Sequence, residues 1–420
     1  MKLCVFEDEG YKNLFPLTLT RATFELKCGH TTLLEKILRN FGKAQASYFL
    51  REYLTPVFRH RVNAEAVNDI NVLKTDDFLI VNGRLLLHSG ELTFEDEDEV
   101  GIYGEALVYA RVRKETVKRY LTRGFTGFLG KIKEEVSARE LKATMVTYPW
   151  DLVNNNPEAV KDDFKAIEKK GILGRFHEQA AVYGGGEEVY VAKDAEVHPF
   201  VVLDTTSGPI IIDEGAKVFP FSRVEGPSCI GRNSWVVRAN MHSGSAVGPN
   251  CRVGGEVEES IIHGYTNKYH AGFIGHSYVG EWVNLGALTT NSDLKNDYGA
   301  VEVYINGKLM NTGETKVGCF IGDHTKTGIG SLINTGTVIG TMSNILSSGE
   351  PSPKYIPSFC WYFRRRFWRG PSVERALQTA ERVMKRRRVT LRSEDVKLFQ
   401  HLYDMTREER EKLISRGRNE

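Results

Sequence analysis

The chain has 420 residues, more than one ordinary domain needs, and 41% hydrophobic against 26% charged residues supply a large core with a soluble surface. No apolar run approaches a membrane span, and the amino terminus meets acidic residues before any long apolar stretch, so it does not read as a secretory signal and the cytoplasm is the expected compartment. The net charge of +2 conceals an asymmetry: residues 351–420 carry 18 Lys/Arg against 9 Asp/Glu, leaving the preceding body at −7, which argues against a general nucleic-acid binder.

In chain order, Lys2 to Phe6 reads as a short strand, followed by an irregular loop through Pro16 and Arg21 and a helix from Leu33 to Asn40. Further strands are expected at Ser47 to Leu50, Phe78 to Val81, Ala106 to Ala110 and Lys142 to Val146, with a helix at Lys114 to Tyr120. Strands alternating with helices imply a parallel α/β sheet, placed at residues 1–175. Gly184 to Gly186 reads as a hinge. The six cysteines are scattered without a C-x-x-C and are expected as reduced thiols.

From about Val189 the pattern changes. Small or β-branched apolar residues recur every sixth position, at Ile212, Val218, Val224, Ile230 and Val236, then Ile261, Phe273, Val279 and Leu285, then Ile321, Ile333, Ile339 and Ile345. Neither a helix nor a simple strand has that period, whereas in a parallel β-helix each hexapeptide is one side of a coil and stacked coils bury a common column. The glycines Gly231, Gly280, Gly286, Gly322 and Gly340 follow the apolar residue, where a corner with positive φ is expected. This coil is placed at 180–348, and a basic helical extension at 349–420, with helices around Val373 to Met384 and Val396 to Leu413. The aromatic and arginine run Phe359 to Arg369 is readable as an RNA patch or membrane-surface helix, or as a cap over the coil's open end. Lys385 to Arg388 forms a basic run, and the extension from Pro351 onward is also readable as contributing to the pyrophosphate of coenzyme A or a sugar nucleotide.

The layout resembles the bifunctional bacterial and archaeal sugar-1-phosphate enzymes of the N-acetylglucosamine-1-phosphate uridyltransferase type. These join a Rossmann-like nucleotidyltransferase to a left-handed β-helix acetyltransferase. The matching stretches are Gly254-Gly255-Glu256-Val257, His270 with Ile274-Gly275, Val283-Asn284-Leu285-Gly286-Ala287, and Ile321-Gly322-Asp323-His324-Thr325-Lys326-Thr327-Gly328. The resemblance implies that His270 is the general base, that Asn284 holds sugar or cofactor, and that the Ala287 amide supports the acyl oxyanion. It sets Arg238 and Lys316 against the sugar phosphate. The substrates implied are a sugar-1-phosphate, a nucleoside triphosphate and acetyl-CoA, with Mg²⁺ for nucleotidyl transfer, a homotrimer as the assembly, and neither nucleic acid nor membrane as partner.

The sequence departs from that family at Phe273, where the family has Tyr, at Leu288 in Gly286-Ala287-Leu288, and at Glu258-Glu259 in place of basic residues. These changes point to a different acceptor or to loss of acetyl transfer. In the amino-terminal part, Phe6-Glu7-Asp8-Glu9-Gly10 stands where the family has a glycine-rich phosphate loop. Gly10 and Arg21 are the candidate phosphate contacts, and Asn82 and Asp151 the candidate metal ligands, with Asp151 in Pro149-Trp150-Asp151-Leu152 equally readable as a helix start. Two other readings stay open: a non-catalytic sugar-nucleotide-binding or assembly protein, and a zinc β-helix enzyme of the γ-carbonic anhydrase kind using His263, His270 and His276.

Overall fold

The computed structural model describes residues 1–41, 46–64, 66–88, 92, 97–122, 124–346 and 349–416. Two units emerge: Met1–Lys12, Thr20–Leu26 and Thr31–Thr147 form one, and Asn13–Leu19, Lys27–His30 and Tyr148–Glu420 the other.

In the first unit, strand β1 (Lys2–Phe6) lies between β2 (Ala46–Phe49) and β3 (Phe78–Asn82), parallel to both. These strands are apolar on both faces because helices cover the sheet, which is why they read as continuous hydrophobic runs. The rest of the sheet is not parallel as expected. Strands β4 (Glu99–Tyr103) and β5 (Ala106–Val112) form a hairpin turning at Gly104 with φ +55, so β5 runs antiparallel to β3. Strand β6 (Ala138–Glu140) pairs parallel with β4 at the edge. Around the sheet lie helices α1 (Leu33–Phe41), α2 (Thr55–Val62), α3 (Lys114–Tyr120) and α4 (Gly124–Glu135). Lys142 to Val146 forms no strand; it is an irregular segment joined to 84–86 by bonds such as Leu86 N–H to the Thr144 carbonyl at 2.9 Å.

The second unit opens with α5 (Pro149–Asn154) and α6 (Asn156–Lys165) and is otherwise a parallel β-solenoid with one face ten strands deep. Its coil runs from Gly171–Ile172 to Cys360–Phe363, beyond both ends expected from the hexads. Gly184 to Gly186 is not a hinge, since it follows Ala181–Tyr183, which pairs with Val202–Asp204 of the next coil. The shared apolar column contains Ile212, Val218, Ile230, Val236, Val279, Ile321, Ile339 and Ile345 as expected, but Ile262 and Ile274 occupy it in place of Ile261 and Phe273.

The five glycines after the apolar residue have ordinary negative φ; positive φ at the corners belongs to Asn233, Asn250, Tyr265, Trp282, His324 and Met342. Glycine is needed for another reason. A Cβ on Gly340 would lie 2.3 Å from the Ser358 backbone nitrogen, and one on Gly231 would lie 2.7 Å from a Gly248 backbone carbon. Successive coils touch there backbone to backbone. Tyr278 pairs with Phe320 across an insertion that folds as an antiparallel hairpin, Glu302–Ile305 with Lys308–Asn311.

After the last coil strand the chain turns back as Arg366–Arg369, antiparallel to Cys360–Phe363, and continues into α7 (Val373–Lys385), α8 (Ser393–Met405) and α9 (Arg407–Arg416). The helices lie along the coil's side: the Phe399 ring meets His324 at 5.2 Å and the Tyr403 ring meets Phe359 at 5.2 Å. All six cysteines are buried thiols. No helix among the described residues is long and apolar enough to cross a membrane.

Candidate active site

A cleft of about 700 Å³ opens on the side of the coil and is lined by His270, Asn284 and Ala287 together. Stacking explains the convergence. Asn267 pairs with Asn284, and Asn284 with Lys326, as isolated bridges on one outward column, so residues 17 and 42 positions apart become neighbours. His270 is exposed in the turn that follows Asn267–Lys268. Asn267 donates through Nδ2 to Asn284 Oδ1 at 3.4 Å and accepts from Arg387 Nη2 at 2.7 Å. The Ala287 N–H has no acceptor among the described residues, while its carbonyl accepts from Gly330 at 2.8 Å. A free, fixed amide donor at the wall of a cleft can stabilise a developing oxyanion.

The turn that carries His270 is braced from inside. Lys268 pairs with Val253, a member of the apolar column, and is only 2% exposed. Its Nζ donates to the carbonyls of Gly254 and Gly272, both at 2.6 Å, and to that of His270 at 3.4 Å. Burial pushes its ammonium down to about 8. Lys326, at the cleft wall, is likewise pushed down by burial to about 8 and donates to the His324 carbonyl at 2.7 Å.

Arg238 and Lys316 do not line this cleft. Arg238 is exposed with φ +48, where the strand Trp235–Met241 shifts register between Val237 and Ala239. Lys316 pairs with Glu258 at 3.1 Å, and that hydrogen bond, with the nearby charges of Glu258, Asp293 and Glu259, raises it above the usual lysine range. The glutamates at 258 and 259 thus belong to a carboxylate cluster around Lys316 and His276.

His276 is 7% exposed, with Nδ1 at 2.8 Å from Asp293 Oδ2 and Nε2 at 3.4 Å from Glu259 Oε2. Burial disfavours its charge, but the two carboxylates outweigh burial and raise it to about 9. Both ring nitrogens are therefore occupied, which leaves no lone pair for zinc. His263 faces Glu281 at 3.3 Å and His270 faces the cleft, so the three imidazoles have separate surroundings.

The raised histidine adds stability in full below the ordinary imidazole value of about 6.5 and loses that contribution as pH rises through about 9. Asp293 and Glu259, both held below the usual carboxylate range, add stability above that range and lose it in acid. Replacing His276 with Gln is expected to cost ~2–3 kcal/mol by chemical denaturation. The difference from wild type should be greatest near pH 5–6.5, shrinking towards zero above the histidine's own transition.

In the first unit the acidic loop is held by the chain's own cations. Arg51 Nε donates to Glu7 Oε2 at 2.8 Å and Arg51 Nη2 to Glu7 Oε1 at 3.0 Å. Arg84 grips Asp8 through two bonds of 2.6 and 2.7 Å, and Glu9 pairs with Lys12 at 2.6 Å. Burial works against the Asp8 charge, but the Arg84 bonds, with those from Asn82 and Gly10, hold it below the usual range.

Gly10 accordingly has a role other than phosphate binding. Its N–H donates to Asp8 Oδ1 at 3.1 Å, and a Cβ there would lie 2.4 Å from Arg84 Nε. Arg21 is 1% exposed and presents no face to a triphosphate.

The implied Mg²⁺ does not fit its candidate ligands. Asn82 is fully buried, with Nδ2 donating to Asp8 and the Leu107 carbonyl at 2.8 and 2.9 Å and Oδ1 accepting from Arg84 N–H at 3.0 Å. The Asp151 carboxylate accepts from the Tyr148 N–H at 2.9 Å, capping α5, as the alternative reading of that motif had it. Asp8, Arg51 and Arg84 were not foreseen, because only the pairing of β1 with β2 and β3 brings Phe6 opposite Phe49 and Asn82.

Residues 3–171 match the family model for sugar nucleotidyl transferases. The bifunctional sugar-1-phosphate nucleotidylyltransferase/acetyltransferase of Sulfurisphaera tokodaii is 39% identical over 90 residues, which is 21% of this chain and 22% of that protein. The bifunctional protein GlmU of Wolbachia pipientis wMel is 26% identical over 184 residues, 40% of this chain and 38% of its own. GlmU of Methanococcus maripaludis strain C7 is 25% identical over 379 residues, 79% of this chain and 90% of that protein. This chain thus spans about a fifth and about two fifths of the first two relatives and most of the third. Over residues 3–171 the chain is similar to sugar nucleotidyl transferases, and over most of its length it is similar to the bifunctional GlmU protein of Methanococcus maripaludis.

Proposed function

We propose that the coil transfers an acyl group from acetyl-CoA to an amine or hydroxyl of a sugar-1-phosphate, and that the first unit handles the sugar nucleotide made from it. What carries this reading is the convergence of His270, Asn284 and Ala287 on one cleft. An imidazole can accept and return a proton near neutral pH. In the proposed step His270 takes the proton from the acceptor as its nitrogen or oxygen bonds to the thioester carbon. The Ala287 N–H stabilises the oxyanion, and collapse breaks the C–S bond, the proton passing to the departing thiolate. Asn284 orients a substrate. In the family's homotrimer, the assembly proposed for this chain, a neighbouring coil would complete the cleft.

For the first unit, the family match supports nucleotidyl transfer, with a sugar-1-phosphate displacing pyrophosphate from a nucleoside triphosphate. A second reading, binding without transfer, is favoured by the engagement of Asp8 with Arg84 and of Asn82 with three internal partners. Incubation with sugar-1-phosphates, nucleoside triphosphates and acetyl-CoA, following pyrophosphate and free thiol separately, tests both. Thiol release without pyrophosphate selects the second reading for the first unit. Absence of acceptor-dependent thiol release from the full panel overturns acyl transfer.

A further inference from the structure

A second cavity, of about 340 Å³, lies within the second unit, and the proposed transfer makes no use of it. Four stretches of chain wall it: the segment at Phe15, the Asn306-Gly307 turn of the inserted hairpin, the last coils at Tyr355, and the junction of α8 with α9. The hairpin turn has positive φ at both residues, 48 and 83, as a two-residue connection requires. It is pinned to the amino-terminal segment by Asn306 Nδ2, which donates to Asn13 Oδ1 at 2.8 Å. The Tyr304 and Tyr355 rings lie 4.5 Å apart, and Phe15 and the Met405 thioether join them in the wall. Glu409 is the only carboxylate, and no lysine, arginine or histidine is found, among the described lining residues.

The charge of Glu409 is only half answered. Tyr355 donates its hydroxyl to Oε2 at 2.6 Å, while Oε1 has no hydrogen-bond partner among the described residues. Burial, and after it the charge of Glu409, raises the Tyr355 phenol well above its usual range, so that donor keeps its proton. The neighbouring Arg410 turns elsewhere: it is 1% exposed and donates to the carbonyls of Ser358 and Tyr403 and to the Thr406 hydroxyl, with its guanidinium 4.2 Å from the Tyr403 ring. We infer that this cavity binds a small organic ammonium ion with an aromatic body, its ammonium on Glu409 and its body among Phe15, Tyr304 and Tyr355. The volume and the apolar wall with few polar groups suit a small-molecule site. An ammonium gains from the carboxylate and from the ring quadrupoles together. An anion meets Glu409 unfavourably, and a neutral apolar ligand strips water from Oε1 without replacing its hydrogen bond. Such a site stands whether or not the coil transfers an acyl group.

The test is calorimetric titration of the full chain near neutral pH with phenethylamine, the neutral phenethyl alcohol and the anionic phenylacetate. It uses wild type, Glu409→Gln, Met405→Trp and, as a control outside the cavity, Glu408→Gln. Glu409→Gln keeps an oxygen for the Tyr355 hydroxyl and removes the charge. Met405 is 44% exposed, so Met405→Trp narrows the cavity with little risk to the fold and keeps the site testable should Glu409→Gln disturb it. Wild type is expected to bind phenethylamine saturably, ~10-fold or more tighter than phenethyl alcohol, the worth of a charge-assisted hydrogen bond, and not to bind phenylacetate. Glu409→Gln should bind the amine no better than the alcohol, Met405→Trp should weaken both ligands, and Glu408→Gln should match wild type.

Absence of saturable phenethylamine binding to wild type, equal affinity for amine and alcohol, or wild-type affinity for the amine in folded Glu409→Gln or Met405→Trp would overturn the site. A loss in Glu408→Gln as large as that in Glu409→Gln would overturn it too, since a general change of surface charge would then account for the binding.

Discussion

Replacing His270 with alanine is expected to lower kcat for acetyl-CoA-dependent thiol release by ~10²–10⁴-fold, the usual worth of a positioned general base. His270 is exposed at a turn and holds no core contact, so the melting temperature should stay within a degree or two of wild type. Pyrophosphate release, if the first unit supports it, should be untouched. Unchanged thiol release in the variant would remove His270 from the mechanism.

The second large effect is expected at Lys268, on activity and on stability. Its ammonium is buried in register with Val253 of the apolar column, so Lys268→Met removes a buried charge and leaves its carbonyl acceptors short of a donor, at a folding cost of ~1–3 kcal/mol. The carbonyls of Gly254 and Gly272 then lose their common donor, and the turn between Lys268 and Phe273 keeps only bonds such as Glu256 N–H to the Gly272 carbonyl at 3.1 Å and Leu288 N–H to the Ala271 carbonyl at 2.8 Å. A displacement of about 1 Å in a reacting group costs roughly 10²-fold, so kcat for thiol release should fall ~10–100-fold with KM for acetyl-CoA nearly unchanged. A merely structural lysine would leave the kcat of the folded fraction alone.

The amino-terminal part shows where a residue-by-residue carry-over fails. Gly10, Arg21, Asn82 and Asp151 all had plausible chemistry, yet each is engaged in holding the chain together: a turn beside Arg84, a buried side chain, a carboxamide with three internal partners and a helix cap. Substituting Arg21 with alanine should therefore reduce stability first, by removing a large buried side chain, and affect ligand binding only through that loss. The counter-charges of the acidic loop are not visible in its local sequence, because Arg51 and Arg84 lie 44 and 76 residues from Glu7 and Asp8.

The six-residue spacing by itself determined the solenoid, because no other regular backbone buries one side chain in six, whereas His270, Asn284 and Ala287 were singled out by the family resemblance. The spacing could not fix the register. Ile274 and Val279 both sit in the column but are five residues apart, so a count in sixes back from Val279 lands one position early, on Phe273 and Ile261 instead of Ile274 and Ile262. Only the tertiary structure decided that Arg386 and Arg387 face the same cleft as His270, and that Lys316 does not. The physical reason is range: periodicity reports what each side chain does within its own coil, whereas charges from a distant helix meet a coil only through packing that no local pattern encodes.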